Sequence, residues 1–214
     1  MTAGRGRTGR PPLSEQRKAE IRLEIAHAAV DLFVTQGVAA TTGEQIGRAV
    51  GVSARTVWRY FPSKESCVRP LLAAGVELIA AALRAWHPGQ SLAEALDFER
   101  EVTEDDGPLT GLEQASVGAL VRLTRTEPGL RAIWLQTYDE AEPAFARALA
   151  ERAGLPPDDL RPAIQAAMFN AALRAAVEHH AWHTAGTPAG PEAARTALAA
   201  NLRTALTVAM TGLT

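Results

Sequence analysis

Hydrophobic positions in this 214-residue chain recur at intervals of three and four along most of its length, and no turn-bounded stretch keeps the two-residue period of a half-buried strand. The first periodic set is Ile21, Ile25, Ala28, Ala29, Leu32 and Phe33, with Ser14 placed as an N-cap before it and Gly37 as a stop after it. Two short sets follow. Ile46, Val50, Val52, Val57 and Tyr60 fall at spacings that let two short helices pack at a steep angle over one small core. Thr41 and Thr42 each stand three residues before Glu44 or Gln45, so either register gives a capping box that opens the second helix. Gly47 is small where the two helices would cross, and Gly51 lies where the chain must reverse, a place that favours a residue free to take positive φ. Ser53 caps the next helix and Pro62 ends it.

The pattern stays helical beyond that point. Ser63 starts a fourth helix that runs to about Trp86, with Pro88-Gly89 as its stop. Further helices are predicted over about 91–102, 108–127, 129–153, 158–184 and 191–211, separated by the breakers DDGP, EPG, GLPP and AGTPAGP. The expectation is an all-α chain of about nine helices: a basic arm over 1–13, a three-helix helix-turn-helix domain over 14–62 and a helical domain over 63–214. The last two helices carry stripes of small and aliphatic residues: Ile164, Ala167, Met168, Ala171, Ala175 and Ala176 on one, Leu198, Leu202, Ala205, Leu206 and Ala209 or Met210 on the other. Two such hairpins from two subunits would close a four-helix bundle in a homodimer; otherwise the stripes bury within their own domain.

Composition narrows the classes. Hydrophobic residues make up 47% of the chain, enough to fill a sizeable core. No run of about 18 uninterrupted apolar residues and no leader-like apolar segment supports a membrane partner or secretion, so a cytoplasmic protein is expected. Cys67 is the single cysteine, which excludes an intrachain disulfide and a multi-cysteine zinc site. The net charge of −2 is unevenly spread: residues 1–65 carry ten Lys and Arg against six Asp and Glu, while residues 66–214 carry twelve against eighteen. The basic part coincides with the helix pair. There Ala54, Arg55, Thr56, Trp58 and Arg59 are left free to face outward, the arrangement of a helix that enters a DNA major groove beside a fixed support. Thr42, at the start of the second helix, is placed to bind a phosphate as well as to cap.

The segments IAHAAVDLFVTQG (25–37), TTGEQIGRAVGVSARTVWRYF (41–61) and PSKE (62–65) resemble the N-terminal DNA-binding region of the TetR family of bacterial transcriptional regulators, over about residues 14–66. The resemblance implies a homodimer whose two recognition helices occupy successive major grooves of a pseudo-palindromic operator, with half-sites about 34–36 Å apart. It also implies a C-terminal domain that binds a small effector and thereby shifts the two heads, acting through the fourth helix. Thr42, Ser53, Ala54, Arg55, Thr56, Trp58, Arg59, Tyr60 and Lys64 fall in the DNA-reading region, with Tyr60 and Lys64 where the family touches backbone phosphates. Arg55 and Trp58 depart from the Gly and Tyr frequent in the family; Arg55 either reads a guanine edge or contacts a phosphate. In the arm, Arg5, Arg7 and Arg10 either enter a minor groove or add nonspecific affinity.

Candidate effector contacts on the C-terminal helices are Trp86, Trp134, Tyr138, Phe145, Phe169, Asn170, Arg174, His179 and Trp182, large or polar groups suited to an apolar cavity with a few convergent polar atoms. Asn170, Arg174 and Glu178 share a helix face and line a pocket, or Arg174 and Glu178 form a surface pair. His179 and His183 stand at i, i+4 as zinc ligands do, but the run EHHAWH lacks a third ligand and the metalloprotease glutamate, so neither a metal nor a cofactor is expected. The leading reading is a repressor rather than an enzyme. Its rivals are an activator or global regulator of the same fold and a helical hydrolase using His179, His180 and His183 with Glu178, or with Asp105 and Asp106.

Overall fold

A computed structural model describes residues 14–87, 89–90, 94, 111–183 and 190–211. Among the described residues there are eight α-helices, one 3-10 turn and no strand. The basic arm, Asp105 and Asp106, and most of the helix expected at about 91–102 lie outside the described residues.

The N-terminal head is built from α1 (Glu15–Gln36), α2 (Gly43–Ala49) and α3 (Ala54–Tyr60). Each starts at a side chain that replaces a missing helical acceptor. The Arg17 amide donates to Ser14 Oγ at 3.2 Å and the Thr56 amide to Ser53 Oγ at 3.2 Å. Of the two registers open at α2, the chain uses Thr42: its Oγ1 accepts from the Gln45 amide at 3.3 Å while Gln45 Oε1 accepts from the Thr42 amide at 2.8 Å. Thr41 is buried instead, donating to the Gly37 carbonyl at 2.9 Å. Replacing Thr42 by alanine should therefore cost about 1 kcal/mol. A thermal midpoint lowered by about 2–4 °C would register that loss; an unchanged midpoint would remove the box from the account.

The turn between α2 and α3 is set by two glycines. Gly51 has φ +71°. At Gly47 a Cβ would stand 2.7 Å from the Val52 carbonyl oxygen, because the chain folds back on α2 and the Val52 amide donates to the Gly47 carbonyl at 2.8 Å. Ile46 and Val57 are fully buried in the angle between the helices, against Ile25, Ala29 and Phe33 of α1.

The expected fourth helix begins later than the sequence suggests. Glu65–Val68 form a 3-10 turn and α4 runs Arg69–Arg84, with Pro70 in its first turn. By length and composition the stretch Glu65–Arg84 would be long enough to cross a bilayer, with mean hydropathy 1.6, yet Leu71, Leu72, Val76, Ala80 and Leu83 of α4 are buried within the protein. Then come α5 (Gly111–Leu123), α6 (Pro128–Ala153), α7 (Leu160–His183) and α8 (Pro191–Thr211). The broadest contacts join α7 to α8, α6 to α7 and α4 to α6. Helix α1 packs on α2, α4 and α5, so the buried apolar residues form one continuous core from Ile25 to Leu206 across the expected boundary at residue 62.

Candidate DNA-binding face and buried polar cluster

Val57 anchors α3, and the opposite side presents Arg55, Trp58 and Arg59 to solvent, with Ala54 and Thr56 half-buried beside them. The hydroxyls of Ser53 and Thr56 lie 3.0 Å apart and bond each other, which fixes the first turn of the reading helix. Arg55 is exposed and pairs with no carboxylate among the described residues. Trp58 serves two surfaces. It is 44% exposed, yet its six-membered ring covers Gly43 so closely that a Cβ there would come within 2.0 Å of the indole. The indole thus braces α3 against the start of α2, a role available only because residue 43 has no side chain.

Tyr60 is half-buried at the end of α3, with the Arg59 guanidinium 5.0 Å and the Arg22 guanidinium 5.4 Å from its ring centre. Arg22, on α1, belongs to no motif in the sequence, where it stands as a lone cation beside an apolar face. Lys64 departs from expectation. Its ammonium turns inward to the loop between α1 and α2, donating to the carbonyls of Val38 at 2.5 Å and Thr41 at 3.2 Å, with that of Ala39 at 3.5 Å. Those carbonyls point off a loop that has no helix to satisfy them, and an ammonium offers three donors in one place. Lys64→Met should weaken operator binding by loosening the entry to α2 while leaving the salt dependence of binding as it was. A flatter salt slope would instead return Lys64 to the phosphate backbone.

In the C-terminal half the polar centre is Glu178, 6% exposed on α7. One of its carboxylate oxygens, Oε1, accepts from Arg131 Nη1 and from Trp134 Nε1 at 2.7 Å on α6, and from Arg174 Nη1 at 3.3 Å one turn earlier on α7. Arg174 and Glu178 are therefore no surface pair. Arg131 lies three residues before Trp134 on one face of α6, which is how both reach the same oxygen. Tyr138 follows one turn on, buried edge-to-face against Trp134 with ring centres 4.7 Å apart. Burial, and then the Glu178 charge, push the Tyr138 phenol above its ordinary pKa, so it stays a neutral hydroxyl. Asn170, 6% exposed, donates through Nδ2 to the Tyr138 carbonyl at 3.0 Å and to Glu142 Oε2 at 3.2 Å; two acceptors fix the amide's orientation. Its Oδ1 is buried and receives no hydrogen bond among the described residues.

Of the expected effector contacts, the fold thus gathers Trp134, Tyr138, Asn170 and Arg174 between α6 and α7. Phe169 pairs edge-to-face with Phe145 at 5.4 Å. Trp86 stands elsewhere, its indole donating to the Gln90 carbonyl and its ring lying 3.6 Å from the Arg152 guanidinium carbon. His179 is exposed and stacked on His183, one turn on along the same side of α7, with ring centres 4.2 Å apart. No group of three His, Cys, Asp or Glu side chains among the described residues is arranged to hold a metal. The α8 residues expected at a subunit seam are committed inward: Leu202 and Leu206 are buried and Leu198 half-buried, all within the same protomer's core. On α7 the corresponding stripe points out, with Ile164 50% and Met168 44% exposed and Ala171 and Ala175 exposed beside them.

The profile of bacterial regulatory proteins, tetR family, matches residues 25–71, which hold the capped α2, the Gly47–Gly51 turn and α3. TcmR of Streptomyces glaucescens, an HTH-type transcriptional regulator, is 34% identical over 168 residues, covering 77% of this chain and 74% of TcmR. The chain belongs to the TetR family. It is a DNA-binding transcriptional regulator. The profile of the MftR C-terminal domain matches residues 110–213, so α5 to α8 also have a relative within the TetR family. Among solved structures, Salmonella enterica GusR has a TM-score of 0.54 at 21% identity, over 91% of this chain and 96% of GusR. A TetR-family regulator of Mesorhizobium loti has a TM-score of 0.52 at 17% identity, over 91% of this chain and 98% of the other. At those identities the likeness is one of fold.

Proposed function

We propose that the protein is a homodimeric repressor that holds a pseudo-palindromic operator through two copies of α3 and releases it when a small molecule binds between α6 and α7. The observation that carries the DNA half is the exposed, unpaired Arg55 beside Arg59 on a helix fixed by Ser53, Val57 and Trp58. Phosphates would be met by Thr42, Tyr60 and the basic head as a whole. The dimer half rests on the outward stripe of α7: Ile164, Met168, Ala171 and Ala175 are the small and aliphatic residues that α8 does not cover. His179 and His183 continue that face toward the end of the helix. For the effector, Asn170 Oδ1 is a buried acceptor that no donor among the described residues reaches, on a side chain whose amide is bonded to the Tyr138 carbonyl. A ligand with an apolar or aromatic body and a hydroxyl or N–H group fits that chemistry. Acting on chromosomal DNA, the protein works in the cytoplasm, and no catalytic step is assigned to it.

Selection of bound duplexes from a random library with purified protein tests the reading directly. A recovered site with two-fold symmetry is expected, with preference at one position relaxed and affinity lowered by about 1–3 kcal/mol in Arg55→Ala. Met168→Arg should convert the dimer to monomer by light scattering and abolish binding to the paired site. A dimer that persists in Met168→Arg and in Ala171→Arg would overturn the seam.

A further inference from the structure

We infer that Arg22 of α1 is a phosphate-contact residue, forming with Arg59 a two-guanidinium anion site on the ring of Tyr60, so that the first helix grips the DNA backbone as the third reads it. The inference rests on the DNA-binding reading above. The neighbouring cations of α1 are already neutralised: Arg17 pairs with Glu20 at 2.8 Å and Glu24 at 3.3 Å, and Lys18 with Glu15 at 2.6 Å. Arg22 is exposed and has no carboxylate in ion-pair contact among the described residues; Glu15 feels its charge only at longer range.

What Arg22 does touch is the Tyr60 ring, 5.4 Å from its guanidinium carbon, and Arg59 lies 5.0 Å from the same ring. The ring's π electrons attract each cation and keep both beside Tyr60. Two like charges beside one ring repel, and among the described residues no acid is in ion-pair contact with either, so an anion arriving beside Tyr60 gains from both. Arg59 Nη2 also reaches the Tyr60 hydroxyl at 3.4 Å, which adds a neutral donor or acceptor to the same spot. Because Tyr60 closes the helix that carries Arg55, the anion presented to this patch by a bound duplex is a backbone phosphate. Planar guanidinia suit it, since they meet phosphate oxygens through paired N–H groups.

The test is Arg22→Gln in the full-length protein, measured on the selected operator over a salt series. Losing one phosphate contact reduces the slope of log K against log[salt] by about 0.9, and a dimer loses two, or about 1.8. A threefold rise in salt should then weaken the variant about 7-fold less than the wild type. Base preference should stay as it was. Tyr60→Leu, which removes the ring that gathers both guanidinia, should flatten the slope as well, while Arg17→Gln should not. If Arg22→Gln binds with the wild-type slope, or loses affinity equally at every salt concentration, the assignment is overturned although DNA binding stands. If the wild-type protein selects no duplex, the DNA-binding reading falls and this assignment falls with it.

Discussion

Glu178→Ala is expected to lower the thermal midpoint by about 6–12 °C. The carboxylate is 6% exposed and is the common acceptor of Arg131, Trp134 and Arg174. Removing it leaves two guanidinia and an indole N–H facing each other across α6 and α7 with no acceptor. Breaking a buried ion pair costs about 3–5 kcal/mol. The lower figure applies, because the Arg131 and Arg174 side chains keep 31% and 29% exposure and water relieves part of their charge. At about 2–4 °C per kcal/mol for a chain of this size, about 3 kcal/mol gives the stated shift. Glu178→Gln keeps an acceptor for Trp134 while losing the charge, so it should fall between. Circular dichroism melts of both variants decide the matter; a midpoint within about 2 °C of wild type for Glu178→Ala would show that the cluster reorganises around water at little cost.

Gly47→Ala should cripple the head while sparing the rest of the chain. Alanine is the better helix former by about 1 kcal/mol, which alone would predict a gain. Sterics decide otherwise: the new Cβ would sit 2.7 Å from the Val52 carbonyl oxygen and 3.2 Å from the Ala54 amide nitrogen, and both are backbone atoms that cannot rotate away. Overpacking of this kind costs about 1–3 kcal/mol and is relieved only by opening the angle between α2 and α3. A change of that angle re-aims Arg55 and Arg59, so affinity for the selected operator should drop more than stability does. Hydrogen exchange would show faster opening confined to α2 and α3. Wild-type affinity in Gly47→Ala would mean the crossing has slack the structure does not display.

The parts that were legible in the sequence are those decided within four residues. Ser14, Thr42 and Ser53 cap where their spacing to the next amide allows, and Gly51 takes the positive φ its turn demands. Long polar side chains were harder, because their partners lie far along the chain. Lys64 carries a motif position of the TetR family, yet its amine is captured by carbonyls 23 to 26 residues earlier. Glu178 has an Arg one turn before it, which on sequence permits a solvated pair; its burial depends on Arg131, 47 residues away. Stripes misled for a related reason. Leu202 and Leu206 show the same periodicity as Ile164 and Met168, and only the packing of α8 onto α7 separates an inward stripe from an outward one.

The unbroken core bears on how such regulators can be recombined. A graft cut at residue 62 would appear to transfer a complete reading head onto a foreign sensor, since α1 to α3 end there. It would sever the Lys64 tie to the loop after α1, and it would strip α1 of the 3-10 turn, α4 and α5, so that Val30 and Phe33 lose the core they share with Val68 and Leu71. The transplantable unit must therefore carry the turn at Glu65–Val68 and the first turns of α4, with a recipient whose α5 presents a matching face to the foreign helix. In a lineage that exchanges its sensors, α1 and α5 would be expected to change together.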